Sequence, residues 1–418
     1  MASVDKAQEA AAPADYASPG VAACPYDFYD RARVETPAYP VPAMGGFMVT
    51  RYDTVCAVAK DTATFSSLRP TMGAGDPEFD AIRANGYPAV AALVTCDPPE
   101  HMRYRKLVNK PFTPKSTLAH EHLIRKTVAD LIDRFEADGH VEIMSQFALP
   151  FPTTIIGAIL GVPEDGLQNF GRWADIIAEM ASGALPRERG LECARGMVEM
   201  QLYFADLIEQ RRAEPGDDLL SAMITARADE ERPLDLPEIL ELIRIFVAGG
   251  TESTASLLGS AMYLLLTHPE QFEAVLADFS LIPAMLEEVL RLESPVQWNP
   301  RMVYTEGAQI GDVPIPANSR VMLGWGAANR DPEIYGPDAD RFDIFRKGPS
   351  HTAFGHANHM CLGAPLARLE ARIACEQLFS RLEDIQLAVA AEDVQFVAHG
   401  VVRRVTGLPL TFRPARKD

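Results

Sequence analysis

The densest chemistry in the chain lies in Phe354-Gly355-His356-Ala357-Asn358-His359-Met360-Cys361-Leu362-Gly363, just ahead of a segment that reads as helix. A thiolate at a helix N-terminus is stabilised by backbone N–H groups and the helix dipole. Flanking glycines let the backbone fold tightly round the sulfur. A low-pKa thiolate in such a shielded loop is a nucleophile or a metal ligand. His351, His356, His359 and Cys361 together also raise zinc. Their H-x4-H-x2-H-x-C spacing is not a standard zinc spacing, however, and it leaves the Phe-Gly and Cys-x-Gly positions unexplained.

A second concentration is Ala248-Gly249-Gly250-Thr251-Glu252-Ser253-Thr254. It interrupts a segment from Pro237 to about Thr267 that is apolar on most sides and reads as one long helix, about 45 Å at 1.5 Å per residue. A helix apolar all round is central and buried. Each mid-helix glycine costs about 1 kcal/mol relative to alanine, and a buried carboxylate costs more unless paired or solvated. Something must need close approach to this backbone; the plainer alternative is a helix crossing with a satisfied polar cluster.

Other elements must position these two stretches. Asp97-Pro98-Pro99-Glu100 reads as a helix start with Asp97 as N-cap. Residues 145–160, 164–182, 188–212, 269–278 and 282–292 read as further helices, with a mobile connection near Gly183 and Pro186. A last long helix runs from after Cys361 to about Leu382. Residues 41–50 read as a small strand pair, and short strands are expected near 385–390 and 408–412. The sum is a mainly α fold with minor β structure. With 418 residues and no dividing linker, a loose N-terminal tail over 1–20 and one domain over 21–418 are expected.

Composition excludes several classes. Net charge is −19, with 58 acidic against 39 basic side chains, which argues against nucleic-acid binding and, more weakly, against an anionic membrane surface. Six cysteines without a C-x-x-C pair make no disulfide framework. No apolar run is long enough to span a membrane. A cytoplasmic location is expected.

The cysteine stretch resembles the haem-binding loop of the cytochrome P450 family, F-G-x-G-x-H/R-x-C-x-G, through Phe354, Gly355, His359, Cys361 and Gly363. It departs at Ala357, where the family usually has glycine, and local loop strain is the expected consequence. The resemblance implies the family fold: a long central helix over haem b (iron protoporphyrin IX) and the cysteine loop beneath, with Cys361 as iron ligand. An axial thiolate pushes electron density onto the iron. The stretch 249–254 is similar to the family's A-G-x-D/E-T-T pattern, which implies proton delivery by Glu252 with Ser253, Thr254 being a rival for the alcohol role. By the same resemblance His101, Arg105, Arg301 and His359 hold the haem propionates. Glu-x-x-Arg occurs five times, but only Glu288-Arg291 lies in the family's place, and Arg341 is the expected third member of its network.

For the substrate, family topology suggests linings from segment 65–95, from Phe246, Val247 and Gly249, and from Val296 and Trp298. Arg69, Arg83 and Arg244 are candidate anchors for an anion. The reading is a monomeric monooxygenase that inserts one oxygen atom of O2 into a small organic, aromatic-leaning substrate, by hydroxylation or dealkylation. A separate ferredoxin would supply electrons at a basic patch of Arg103, Lys106, Lys110 and Arg372. A peroxide-driven enzyme of the same fold and a non-catalytic haem ligand-binding protein stand as alternatives.

Overall fold

The apolar periodicity resolves mainly into helices in a computed structural model, which describes residues 16–69, 75–182, 185–227, 231–397 and 400–415. Most of the expected tail and the connection at Gly183 lie outside the described residues. Tyr16 is already buried, its hydroxyl donating to the Gly400 carbonyl at 2.7 Å, and Pro19–Ala23 is a short helix. Packed chain therefore begins before residue 21.

The expected strand pair is present as Tyr39–Val41 against Gly46–Val49. It extends into a four-stranded sheet, with Arg320–Gly324 parallel to Gly46–Val49 and Trp298–Met302 antiparallel beyond. His140–Glu142, Pro409–Pro414 and Leu382–Leu387 form a second sheet. The largest core is helical: Phe147, Phe151, Ile243, Leu258 and Ile373 all lie within it. Smaller clusters pack against the four-stranded sheet.

The central helix is two helices, not one. Leu236–Gly250 begins in a capping box, with the Asp235 carboxylate accepting from the Glu238 amide at 3.1 Å and Glu238 returning the bond at 2.9 Å. It ends at Thr251 (φ −101°, ψ −73°), and Glu252–Thr267 follows. The Thr251 hydroxyl donates to the Val247 carbonyl at 3.1 Å and Ser253 to Gly249 at 2.8 Å. Such i−4 back-bonding bends helices, and two adjacent glycines give the bend little resistance.

The Asp97 expectation also needs correction. The helix is Glu100–Val108, with no side-chain cap. The Asp97 carboxylate instead accepts from the Ser67 amide at 2.8 Å and the Ser66 hydroxyl at 2.5 Å. After the cysteine loop, Ala364–Arg381 is helical with a proline in its first turn.

Candidate active site

The cysteine loop is closed by its own backbone. The Cys361 amide donates to the Phe354 carbonyl at 2.7 Å, Gly355 to Thr352 at 2.8 Å and Met360 to Ala357 at 3.1 Å. Gly355 takes φ 77°, which glycine allows freely, whereas Ala357 takes φ 56° with a Cβ. The amides of Gly363 and Ala364 hydrogen bond the sulfur. The Arg105 guanidinium donates to the Met360 carbonyl at 2.5 Å, and Arg368 lies 4.5 Å over the Phe354 ring.

Burial nevertheless pushes the Cys361 thiol up, and those amides with Arg105 and Arg368 only partly oppose it. This corrects the expectation of an intrinsically low-pKa thiolate. A sulfur so placed suits a metal cation, which deprotonates a coordinating thiol itself. Cys361 carries accessible surface although burial dominates its titration. We take the two together to mean that its surface faces an interior space. His351 turns away to Glu287 at 3.1 Å, and among the described residues no three His, Cys, Asp or Glu side chains could jointly hold a metal ion. The zinc reading has no geometry behind it.

Beside the thiol lies a cluster of basic side chains. His101 and His359 place their rings 4.2 Å apart, and His359 Nε2 is 3.1 Å from the Ser67 hydroxyl. His101 and Arg301 are buried, and His101 Nδ1 and Arg301 Nε have no hydrogen-bond partner. Burial, then Arg301 and His101, push His359 down to about 3; burial pushes Arg301 to about 10. Burial also lowers His101 and Arg105. Asp97 is the carboxylate acting on His101, Arg301 and His359. More buried donors than acceptors is a set that fits a bound dianion.

The bent central helix supplies the third component. Residues 245–247 are buried, but Ala248 and Gly249 are exposed, and a Cβ added to Gly249 would meet nothing within 4 Å. Ser253, half-buried, follows on this stretch, whereas Thr254 is buried with its hydroxyl bonded to the Glu370 carboxyl. Glu252 pairs with Arg404 at 3.4 Å. A buried thiol beside a dianion cradle fits haem: Cys361 would hold the iron, and His101, Arg105, Arg301 and His359 would hold the propionates.

Other expected members move. Glu288 and Arg291 pair at 2.7 Å, both buried, but the second guanidinium on Glu288 is Arg346 at 3.2 Å. Arg341 is exposed and contributes its carbonyl, which accepts from Arg291 at 3.2 Å. Trp298 packs among Tyr16, Tyr29, Tyr39 and Met48, and Val296 against the sheet cluster; neither packs with the central-helix core. Val247 is fully buried, and Phe246 is buried with its ring 5.2 Å from Phe112. Arg83 pairs with Asp80 and Arg244 with Glu241. In the expected basic patch, Arg103 pairs with Glu238, Lys106 with Glu231 and Arg372 with Glu376, so most of its charge is answered internally.

Arg346, Arg404, Ser67 and Glu370 were not foreseen. Glu370 alone left a local trace: it sits in the apolar stripe Leu366-Leu369-Ile373, where a carboxylate is anomalous.

Comparison with known proteins bears on the family and the fold. A cytochrome P450 family model matches residues 192–389. The 6-deoxyerythronolide B hydroxylase of Saccharopolyspora erythraea is 36% identical over 393 residues, spanning 92% of this chain and 95% of the relative. Cytochrome P450 monooxygenase PikC of Streptomyces venezuelae is 34% identical over 401 residues, spanning 95% and 93%. Among solved structures, cytochrome P450 CYP109Q5 from Chondromyces apiculatus superposes with TM-score 0.85 at 35% identity, covering 97% of this chain and 99% of that one. P450BioI, solved in complex with hexadec-9Z-enoic acid ligated acyl carrier protein, superposes with TM-score 0.85 at 31% identity, covering 95% and 100%. With whole-chain identity and fold in agreement, the chain belongs to the cytochrome P450 family and is a monooxygenase of that family.

Proposed function

We propose that this monooxygenase uses haem b to hydroxylate or dealkylate a small organic substrate, with electrons from a separate ferredoxin. The observation that carries the reading is the dianion cradle of His101, Arg105, Arg301 and His359 beside Cys361, with Ala248 and Gly249 open on the central helix. When bound, the haem supplies the oxygen-activating chemistry. The chain's residues do the rest. Cys361 provides the thiolate, and the cradle orients the cofactor. Ala248 and Gly249 leave room for substrate. Ser253 presents a hydroxyl beside that surface, and Glu252 takes up and releases protons, gated by its pair with Arg404.

The relatives' names support oxygen insertion and span unlike substrates, so they support no particular one. The site draws on residues from 67 to 370, which supports one domain as expected for 21–418, with its start moved back to the packed Tyr16. Six free thiols, four of them buried, suit a reducing compartment such as the cytoplasm. Turnover under labelled dioxygen tests the reading: a ferredoxin–reductase system is expected to place one labelled oxygen atom in the product. Product formation with peroxide and none with the reductase would favour a peroxygenase. No product from either across a broad substrate panel would favour a ligand-binding protein.

A further inference from the structure

Glu287 precedes the buried Glu288 on the helix Ile282–Glu293, but it turns to the cysteine loop. Arg368 grips it through two bonds, Nε to Oε1 at 2.7 Å and Nη2 to Oε2 at 2.8 Å. His351 Nε2 lies 3.1 Å from the same Oε2. The Ala353 amide donates to His351 Nδ1 at 3.2 Å, so the other ring nitrogen carries the hydrogen and donates to Glu287. With Nδ1 accepting, the ring adds no charge to the pair. Glu287 is thus tied to the loop twice, through His351 and through Arg368.

The pair lies close to the sulfur. The Arg368 guanidinium is 4.5 Å over the Phe354 ring, and the His351 ring is 5.9 Å from that ring. The Phe354 carbonyl in turn accepts from the Cys361 amide at 2.7 Å. The Gly363 and Ala364 amides hydrogen bond the sulfur, and Ala364 opens the helix Ala364–Arg381. Arg368 is four residues further on, about 6 Å along the axis. Helical side chains lean towards the N-terminus, which brings the guanidinium back to within about 10 Å of the sulfur. Glu287 keeps 42% and Arg368 45% of its side-chain surface accessible, so either can be replaced without opening the core.

We propose that Glu287 and Arg368 set the reduction potential of the haem held by Cys361, Arg368 raising it and Glu287 lowering it through the charge each presents to the sulfur. The proposal rests on the haem-thiolate reading above. Both are positioning residues, acting on the iron only through Cys361 and its loop. Reduction adds one negative charge to the iron–sulfur unit, so a nearby cation favours the reduced form and an anion the oxidised one. With Arg368 gripped by Glu287, the two effects nearly cancel in the wild type. Either charge alone, about 10 Å away, shifts the ratio of ferrous to ferric haem roughly two-fold at the dielectric of water, and more at that of protein.

The test poises each holoenzyme, at low ionic strength and a single pH, at the potential that half-reduces the wild type. Glu287→Gln leaves Arg368 uncancelled and should raise the ferrous-to-ferric ratio about two-fold or more. Arg368→Gln leaves Glu287 uncancelled and should lower it by a similar factor. The double variant should return close to the wild-type ratio, and Arg368→Lys, which keeps the charge without the fork, should stay near it. A loosened loop would move both single variants the same way and would not be repaired in the double variant. Unchanged ratios, shifts of one sign, or an Arg368→Lys variant that behaves like Arg368→Gln would overturn the proposal. The reduced, CO-bound spectrum is recorded beside each ratio. A wild type without the thiolate band would count against Cys361 as the ligand, whereas the band with unmoved ratios would count against the Glu287–Arg368 pair alone.

Discussion

The Glu370 carboxyl meets the Thr254 hydroxyl inside the core, where both side chains are buried. Burial raises Glu370 well above the usual carboxylate range, and that hydroxyl is the one group opposing it. A carboxyl so placed favours its protonated form. The folded chain then holds a proton that the unfolded chain releases above about pH 4.3. Its contribution to stability is complete below that pH and is lost as pH rises towards the folded value, by up to about 1.4 kcal/mol per unit. Glu370→Gln should therefore match the wild type near pH 4 and exceed it increasingly as pH rises above that, as read from melting temperatures across a pH series. Parallel pH profiles would show that Glu370 does not titrate as described.

The brace on Glu288 separates two arginines five residues apart. Arg346→Met removes a mostly buried partner and is expected to cost about 2–3 kcal/mol in denaturant unfolding, short of the full loss because Arg291 remains. Arg341→Met removes an exposed side chain and should cost under about 0.5 kcal/mol, since its carbonyl does the bonding.

Ala357 holds φ 56° in the cysteine loop. Left-handed backbone costs a residue with a Cβ about 1–2 kcal/mol, and glycine's greater freedom when unfolded returns part of that. Ala357→Gly should stabilise the protein by about 0.5–1 kcal/mol in denaturant titrations, with haem content unchanged.

These outcomes turn on features of unequal visibility in the sequence. The cysteine loop was legible because its residues are contiguous and its bonds local. Glu288-Arg291 stood out from five candidates by its order in the chain, its separation from Cys361 and the Ser294-Pro295-Val296 that follows it. Arg346 was not legible, because Glu288 reaches it across 58 residues and Arg341 offers the same side chain nearby. The bend at Thr251 was hidden by apolar residues on both sides that read as one helix. Its cause, two hydroxyls turned onto carbonyls four residues back, depends on rotamers that a sequence does not display. Trp298 had the right composition for a substrate wall, but its strand register carries it into the Tyr16 cluster.

Ser253 and Thr254 differ in the same way. Ser253 lies beside the exposed glycine, and Thr254 points into the core. Ser253→Ala should lower the fraction of consumed electrons that appears in product, with the rest released as peroxide, while leaving stability nearly unchanged. Thr254→Ala should lower the melting temperature and spare coupling. Product yield per electron donor consumed, measured beside thermal unfolding, separates the two.

Every role proposed for the site depends on Cys361 as the iron's thiolate, and the absorbance of the reduced, CO-bound holoenzyme tests this most directly. The wild type is expected to show the red-shifted Soret band of thiolate-ligated haem, and Cys361→His, folded and haem-loaded, is expected to lose it. A wild-type protein that binds haem stoichiometrically yet lacks that band, or a Cys361→His variant that keeps it, would contradict the account.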